Sequence, residues 1–224
     1  MADTDEVVQR NVTRLRRLDA CALSDALDRL KLAGVVTGLA QHSGEKRIAG
    51  RVITVKLGVG QSQAGPPRHL CTTAIELGGN DDVIVIEQRS GVEAGSWGGL
   101  LSVGAKVRGI AGVVVDGPVR DIDQSREIGF PVFARALTSY TARARIVELG
   151  TNVPVTIGEV SVAAGDYVLA DRSAAIFIAS ADIERVLAAA EEIGQREEAM
   201  ARAIIAGKPI SAVMGGDYEH MLKA

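Results

Sequence analysis

The sequence predicts an α/β fold, a layered sandwich with a central mixed β-sheet or barrel and a long C-terminal helix. Three observations lead there. β-Branched runs at 82–87 (DVIVIE), 111–119 (with GVVVDG) and 131–137 (PVFARAL) alternate with helical segments, the pattern of parallel strands joined by crossover helices. Between 153 and 179 the pattern shortens to PVTIGEV, YVLAD and AAIFIA, separated by turns at Gly158, Gly165-Asp166 and Asp171-Arg172, which predicts a compact antiparallel or mixed segment. From Asp182, its N-cap, to Ala206 a helical pattern runs unbroken and stops at Gly207. The chain 1–224 is read as one α/β domain, with a core over 19–180 and a helix and arm over 181–224 that serve oligomer contacts.

Taken in order, Val7, Val8, Val12, Leu15 and Leu18 fall at helical spacing and predict a first helix over 5–18. A short helix ends near Leu32, with Ser24 or Asp25 as its cap. Gly34 and Gly38 punctuate a loop, and 48–59 (IAGRVITVKLGV) alternates as a strand or a bent pair of strands. Pro66-Pro67 breaks the chain, and 68–77 reads as a helix turned by Gly78-Gly79-Asn80-Asp81. After the 82–87 strand come a glycine-rich loop (91–99), a helix (100–107), the 111–119 strand, a helix (122–128) and the 131–137 strand. The segment after 208 reads as a short helix or arm.

Composition narrows the function. The 224 residues hold 25 Gly but only 3% aromatics, 47% are hydrophobic, and the net charge is -3. That apolar fraction is too high for disorder. Nucleic-acid binding is not expected, because basic runs and aromatic stacking platforms are missing. No apolar run approaches the roughly 18 residues of a membrane span. The polar, acidic start MADTDEVVQRNVTRL is not a signal peptide. Cys21 and Cys71 lack CxxC spacing and read as reduced, core-packed thiols of a cytoplasmic protein.

The informative stretch is 91–121, GVEAGSWGGLLSVGAKVRGIAGVVVDGPVRD. It reads as glycine loop, helix, strand, then an Arg-Asp pair at a turn. Gly95, Gly98 and Gly99 allow close backbone approach. The helix starting at Leu100 points free N–H groups into the loop, a ready anion site. Arg120 and Asp121 follow a strand parallel to its predecessor, so they emerge at the same sheet edge as the loop, where open α/β folds bind ligands. The spacing therefore predicts a small pocket with an anion at the helix start, faced by a guanidinium and a carboxylate.

These residues carry a resemblance. GGLLSVGAKVRGIAGVVVDGPVRD, followed by IGFPVFARALT, VPVTIGEVSVAAGDYVLADRSAAIFI and the early LSDAL, resembles the regulator of ribonuclease activity A-like family, which includes class II pyruvate aldolases. The likeness runs from about Leu18 to Gly207. It implies a swivelling-domain-like arrangement and a metal-dependent lyase that cleaves a 4-hydroxy-2-oxo acid to pyruvate and also decarboxylates oxaloacetate. Arg120 would contact the substrate's keto and hydroxyl oxygens. Asp121 would hold Mg²⁺ or Mn²⁺, partly through water, since hard cations prefer oxygen. The amides of Leu100 and Leu101, opened by Gly98 and Gly99, would receive the pyruvyl carboxylate. Glu197 of a neighbouring subunit, or Glu198 beside it, would reach the site in a homotrimer or dimer of trimers.

One position departs from the family. Its enzymes place an acid ahead of the Arg-Asp pair with twenty residues between them, where this chain has Gly99. That acid would orient water and help proton transfer. Glu93, Asp116 and Asp123 are the nearby substitutes, and each also reads as a solvated loop charge. The departure keeps two other functions open: a non-catalytic protein-binding regulator of the ribonuclease-inhibitor kind, and a lyase for a sugar-derived oxo acid. The joint presence of Arg120, Asp121, the glycine loop and Glu197 favours a ligand site. His42, His69 and His220 lack zinc-ligand spacing, and His69 reads as a loop or capping residue. Lys106 reads as solvated, and Trp97 as a lid or an interface anchor.

Overall fold

The structure, a computed structural model, describes residues 2–61 and 68–215. Pro66, Pro67 and His220 lie outside the described residues. Seven helices and eleven strands follow in chain order among the described residues: α1 (Ala2–Leu15), α2 (Ala20–Leu30), β1 (Val35–Val36), β2 (Ala40–Ser43), β3 (Ile48–Gly58), α3 (Thr72–Leu77), β4 (Asp82–Glu87), α4 (Gly99–Val107), β5 (Gly112–Val119), α5 (Ile122–Glu127), β6 (Val132–Leu137), β7 (Val147–Thr151), β8 (Val155–Ile157), β9 (Val160–Val162), β10 (Tyr167–Ala170), β11 (Ala175–Ile178), α6 (Ile183–Ile205) and α7 (Ile210–Val213).

Nine strands form one mixed sheet, ordered β1-β11-β10-β3-β4-β5-β6-β2, with β7 also on β3. Its centre is parallel: Val52 faces Val83 across β3 and β4, Val85 faces Val114 across β4 and β5, and Val114 faces Phe133 across β5 and β6. β3 is long enough to take two antiparallel partners on its other edge, β10 along its first half and β7 along its second. The remaining pair, β8–β9, is a separate hairpin.

Successive residues of each central strand point to opposite faces, and both faces are covered, so the strands read as continuous apolar runs. Ile84 and Ile86 pack with Val113 and Val115 beneath α3 and α4, together with Trp97 and Phe130. Val83 and Val85 pack the other way, with Val114 and Phe133, against Val155, Ile157 and Val162 of the hairpin. A further cluster joins α1, α2 and α6 to β10 and β11 through Leu15, Leu23, Leu169, Ile176, Leu187 and Ile193.

Several boundaries correct the sequence reading. α2 begins at Ala20, not after Ser24 or Asp25, because the Asp19 carboxylate accepts from the Ala22 amide at 2.9 Å and caps it. The predicted 68–77 helix shortens to α3, because Cys71 adopts a left-handed φ of 66° and starts the helix there. β1, β2 and β7 carry no strand signal in the sequence: two are very short edge strands, and all lack clear alternation. Asp182 precedes α6 but does not cap it; its carboxylate takes Arg185 instead. Cys71 is buried, whereas Cys21 is exposed and not part of the core.

α1 is held to α6 by charge as well as by Val12 and Leu15. Arg14 donates Nε and Nη2 to the two Glu191 oxygens at 2.7 and 2.8 Å, and Nη1 to Glu184 at 2.7 Å. The Arg14 hydrogen bonds hold the Glu191 carboxyl below its ordinary range. A depressed carboxylate stabilises the folded state above its unfolded value, about 4.3, and loses that contribution as the pH falls through the folded value. Amide protection factors in α1 are therefore expected to fall relative to those of β4 below about pH 4.5, and to fall at pH 7 in 1 M NaCl. The pair is partly exposed, so an effect of up to about 1 kcal/mol is expected. Equal protection of α1 under all three conditions would contradict it.

Candidate functional site

Parallel strands β4 and β5 carry the chain to the same edge, where the loop after β4 meets the turn after β5. Three main-chain hydrogen bonds fix the loop: Gly95 N–H to the Tyr140 carbonyl (3.0 Å), Ser96 N–H to Pro118 (2.9 Å), and Arg120 N–H to Trp97 (2.9 Å). The loop then enters α4 at Gly98. Gly95 permits the approach of the guanidinium stem, because a Cβ there would sit 2.8 Å from Arg120 Cγ.

Asp121 is left-handed, with φ 54° and ψ 39°. Asp is among the few non-glycine residues that adopt this region readily. Although it precedes α5, its carboxylate does not cap that helix. It turns to α4, where Oδ2 accepts from the Gly99 amide at 3.3 Å, and Arg120 Nε lies 3.2 Å from both carboxylate oxygens. The two terminal guanidinium nitrogens of Arg120 have no partner among the described residues. The same holds for the amides of Leu100 and Leu101, which belong to the first turn of α4 and have no carbonyl four residues back within the helix.

These free donors open onto one cavity of about 150 Å³, lined by His69, Leu70, residues 95–101, Arg120, Asp121, Thr141 and Ala142. The structure thus brings Gly98, Gly99, Leu100, Leu101, Arg120 and Asp121 together. The Leu100 side chain itself faces outward and is 82% exposed. Two larger grooves lie elsewhere. One, of about 550 Å³, is lined by Arg16, Lys46, Arg47 and apolar residues. The other, of about 630 Å³, runs between the start of α2 and α6.

Glu197 lies in that last groove with Glu198, not at the Arg120 cavity, and the two share no lining residue. Burial, then the charges of Asp19 and Asp25, pushes its carboxyl up. Within one chain, therefore, Glu197 and Asp121 are not brought together.

The space above Gly99 is taken. A Cβ there would fall 1.7 Å from Oε1 of Gln124, so the Gln124 carboxamide of α5 occupies the room an acid at 99 would use. Sequence reading missed Gln124 because its place depends on how α5 packs on α4. None of the three substitute acids lines the cavity. Glu93 is exposed and accepts from the Thr138 hydroxyl, and Asp123 is an exposed partner of Arg126. Asp116 is no solvated loop charge: it is 6% exposed and accepts from Arg135 Nε at 2.6 Å and from the Gly158 amide at 2.7 Å.

Trp97 is neither lid nor interface anchor. It is 1% exposed, stacks on Phe130 at 6.1 Å, and donates from its indole to the Ser102 hydroxyl at 2.8 Å. Ser102 and Ser125 share a hydrogen bond of 2.9 Å that ties α4 to α5. Lys106 is exposed but donates to the Ile128 carbonyl. Burial, then the charge of Glu148, pushes the Cys71 thiol well up, which makes it an inert core group.

As for a metal, no three His, Cys, Asp or Glu among the described residues gather into a cage. Asp121 alone supplies a carboxylate at the cavity. A single hard oxygen donor fits Mg²⁺ or Mn²⁺, which keep several waters and take further oxygens from substrate.

Comparison with known proteins bears on family and fold. The family model for RraA-like proteins, Aldolase/RraA, matches residues 20–177. A protein of Halalkalibacterium halodurans named "Putative 4-hydroxy-4-methyl-2-oxoglutarate aldolase" is 31% identical over 86% of this chain and 88% of its own. Protein DlpA of Legionella pneumophila is 26% identical over 88% of this chain, which spans only 32% of that longer protein. An uncharacterised protein of Pseudomonas syringae pv. tomato has a crystal structure that superposes with a TM-score of 0.82 at 26% identity, covering 92% of this chain and 98% of its own. Streptomyces coelicolor RraAS2, described as an unusual member of the RNase ES inhibitor RraA protein family, shares the fold with a TM-score of 0.75 at 24% identity over 84% of this chain and 95% of its own. The match of that family model over residues 20–177, well over half of the sequence, makes this chain a member of the RraA-like family.

Proposed function

We propose that this chain is a divalent-metal-dependent lyase that cleaves a 4-hydroxy-2-oxo acid to release pyruvate, and that the same site decarboxylates oxaloacetate. One observation carries the reading: the free amides of Leu100 and Leu101, the free end of Arg120 and the Asp121 carboxylate converge on one small cavity. A protein-binding surface has no need of that convergence.

The Leu100 and Leu101 amides, at the positive end of α4, receive the substrate's carboxylate. Arg120 faces the 2-oxo oxygen. Breaking the C3–C4 bond leaves an enolate on the pyruvyl half, and the fixed guanidinium stabilises the charge that develops on that oxygen. Asp121 holds the cation, and Mg²⁺ or Mn²⁺, when bound, supplies Lewis-acid polarisation of the same carbonyl. Loss of CO₂ from oxaloacetate gives the same enolate, so one set of groups serves both reactions.

An exposed apolar strip on α4, formed by Leu100, Val103 and Val107, adjoins the cavity. It supports burial against a second copy, in a homotrimer or dimer of trimers where the partner subunit's Glu197 completes the site. The protein is taken to act in the cytoplasm; no described helix is long and apolar enough to cross a membrane.

The test incubates the protein with Mg²⁺ or Mn²⁺ and 4-hydroxy-4-methyl-2-oxoglutarate, a sugar-derived 4-hydroxy-2-oxo acid, or oxaloacetate, coupling pyruvate to lactate dehydrogenase. Pyruvate formation that stops with EDTA is expected. No pyruvate from any substrate sinks the reading, and a monomer in sedimentation at micromolar concentration sinks the shared site.

A further inference from the structure

One side chain in the cavity has no part in the chemistry described so far. His69 lines it together with Arg120 and Asp121. Its Nδ1 lies 3.0 Å from the Leu70 carbonyl oxygen. A carbonyl only accepts, so Nδ1 carries the proton in this pair and Nε2 presents a lone pair. No hydrogen bond occupies Nε2 among the described residues. The backbone of His69 is fixed as well, because its carbonyl accepts from the Thr72 hydroxyl at 2.7 Å and the Thr72 amide at 3.3 Å. The capping role read from the sequence therefore belongs to the main chain, and of the imidazole only Nε2 is left without a partner among the described residues.

Aldol cleavage requires that the C4 hydroxyl lose its proton. Arg120 cannot accept one. Asp121 is engaged by Arg120 and the Gly99 amide. Position 99 has no side chain, and the carboxamide that fills its space does not ionise. Thr141 offers only a hydroxyl. The charged groups around the imidazole are Arg120 and Asp121 across the cavity and Arg68 beside it, itself paired with Glu76 on α3 at 3.1 Å.

We infer that His69 is a catalytic residue, the general base that takes the C4 hydroxyl proton and returns it to the pyruvate carbon. This rests on the lyase reading above. Nε2 removes the proton, and the oxygen's electron pair becomes the second C–O bond of the departing carbonyl compound. The C3–C4 pair forms the C2–C3 double bond, and the 2-oxo π pair moves onto oxygen beside Arg120. The proton then passes from Nε2 to C3, giving pyruvate and restoring neutral His69. No other reactant is consumed. Oxaloacetate, by contrast, loses CO₂ without any hydroxyl proton to remove.

The two reactions therefore separate the role of His69 from that of the rest of the site. In His69→Asn and His69→Gln, kcat for aldol cleavage is expected to fall about 10²–10³-fold. CO₂ release from oxaloacetate, followed directly, is expected to stay within about fivefold of wild type, since that step uses no base. Equal losses in both reactions, or cleavage unchanged in both variants, overturns the assignment. Wild-type protein that neither cleaves nor decarboxylates refutes the lyase reading itself, a distinct result.

Discussion

Replacing Arg120 by alanine is expected to lower pyruvate release from every substrate by about 10²–10³-fold, with the fold intact. The range is that for removing one preorganised donor to a developing oxyanion, roughly 3–4 kcal/mol. Arg120 is well placed for such an effect. Its Nε anchors on Asp121 at 3.2 Å, its main-chain amide is tied to Trp97, and its stem passes over Gly95, so the free terminal nitrogens are aimed before substrate arrives. Its side chain is about a third exposed, so truncation leaves no buried cavity. Lysine should not restore activity, because a point charge cannot anchor on Asp121 and present two further donors at once. Steady-state kinetics beside a thermal melt decides the matter. A loss under tenfold, or a lowered melting temperature that explains it, counts against the electrostatic role.

The second large effect concerns stability. Asp116 lies buried in the middle of β5, and its two oxygens hold different parts of the protein: Oδ1 takes Arg135, and Oδ2 takes the Gly158 amide between β8 and β9. Arg135 in turn donates to the Thr37 carbonyl at 2.6 Å. Asp116→Ala leaves the Gly158 amide without its acceptor and removes the charge partner of Arg135, whose own side chain is a third exposed, and the loss costs about 1–3 kcal/mol. For a chain of this size that corresponds to a fall in melting temperature of roughly 2–12 °C. Amide exchange should rise first in β8 and β9, which Asp116 fastens to the sheet. Unchanged exchange there would show that apolar packing alone holds the hairpin.

Much of this molecule was legible in its sequence. The strands at 82–87 and 111–119 are buried on both faces, so their β-branched runs carry the signal without competition. The glycine loop, α4, Arg120 and Asp121 follow in one continuous stretch, so their meeting at one edge needed only the rule for parallel strands. What stayed hidden depends on contacts between distant segments. Asp116 reads as a loop charge because Arg135 and Gly158 approach it only in the folded sheet. His69 and Gln124 carry no local motif, and each reaches the site through the packing of a short helix, α3 or α5. The cap of α2 is not legible locally, because Ser24 and Asp25 compete with Asp19 as signals, and only the hydrogen bond from Ala22 decides between them.

Trp97 is the chain's single tryptophan. Its indole is sealed from water, stacked on Phe130, and hydrogen-bonded to the helix whose first turn forms the floor of the cavity. The protein thereby carries a built-in optical reporter at its own site. Its emission comes from one place only, so loosening of α4, unfolding of the sheet beneath it, and the arrival of an anion at Leu100 and Leu101 can all be followed in unlabelled protein.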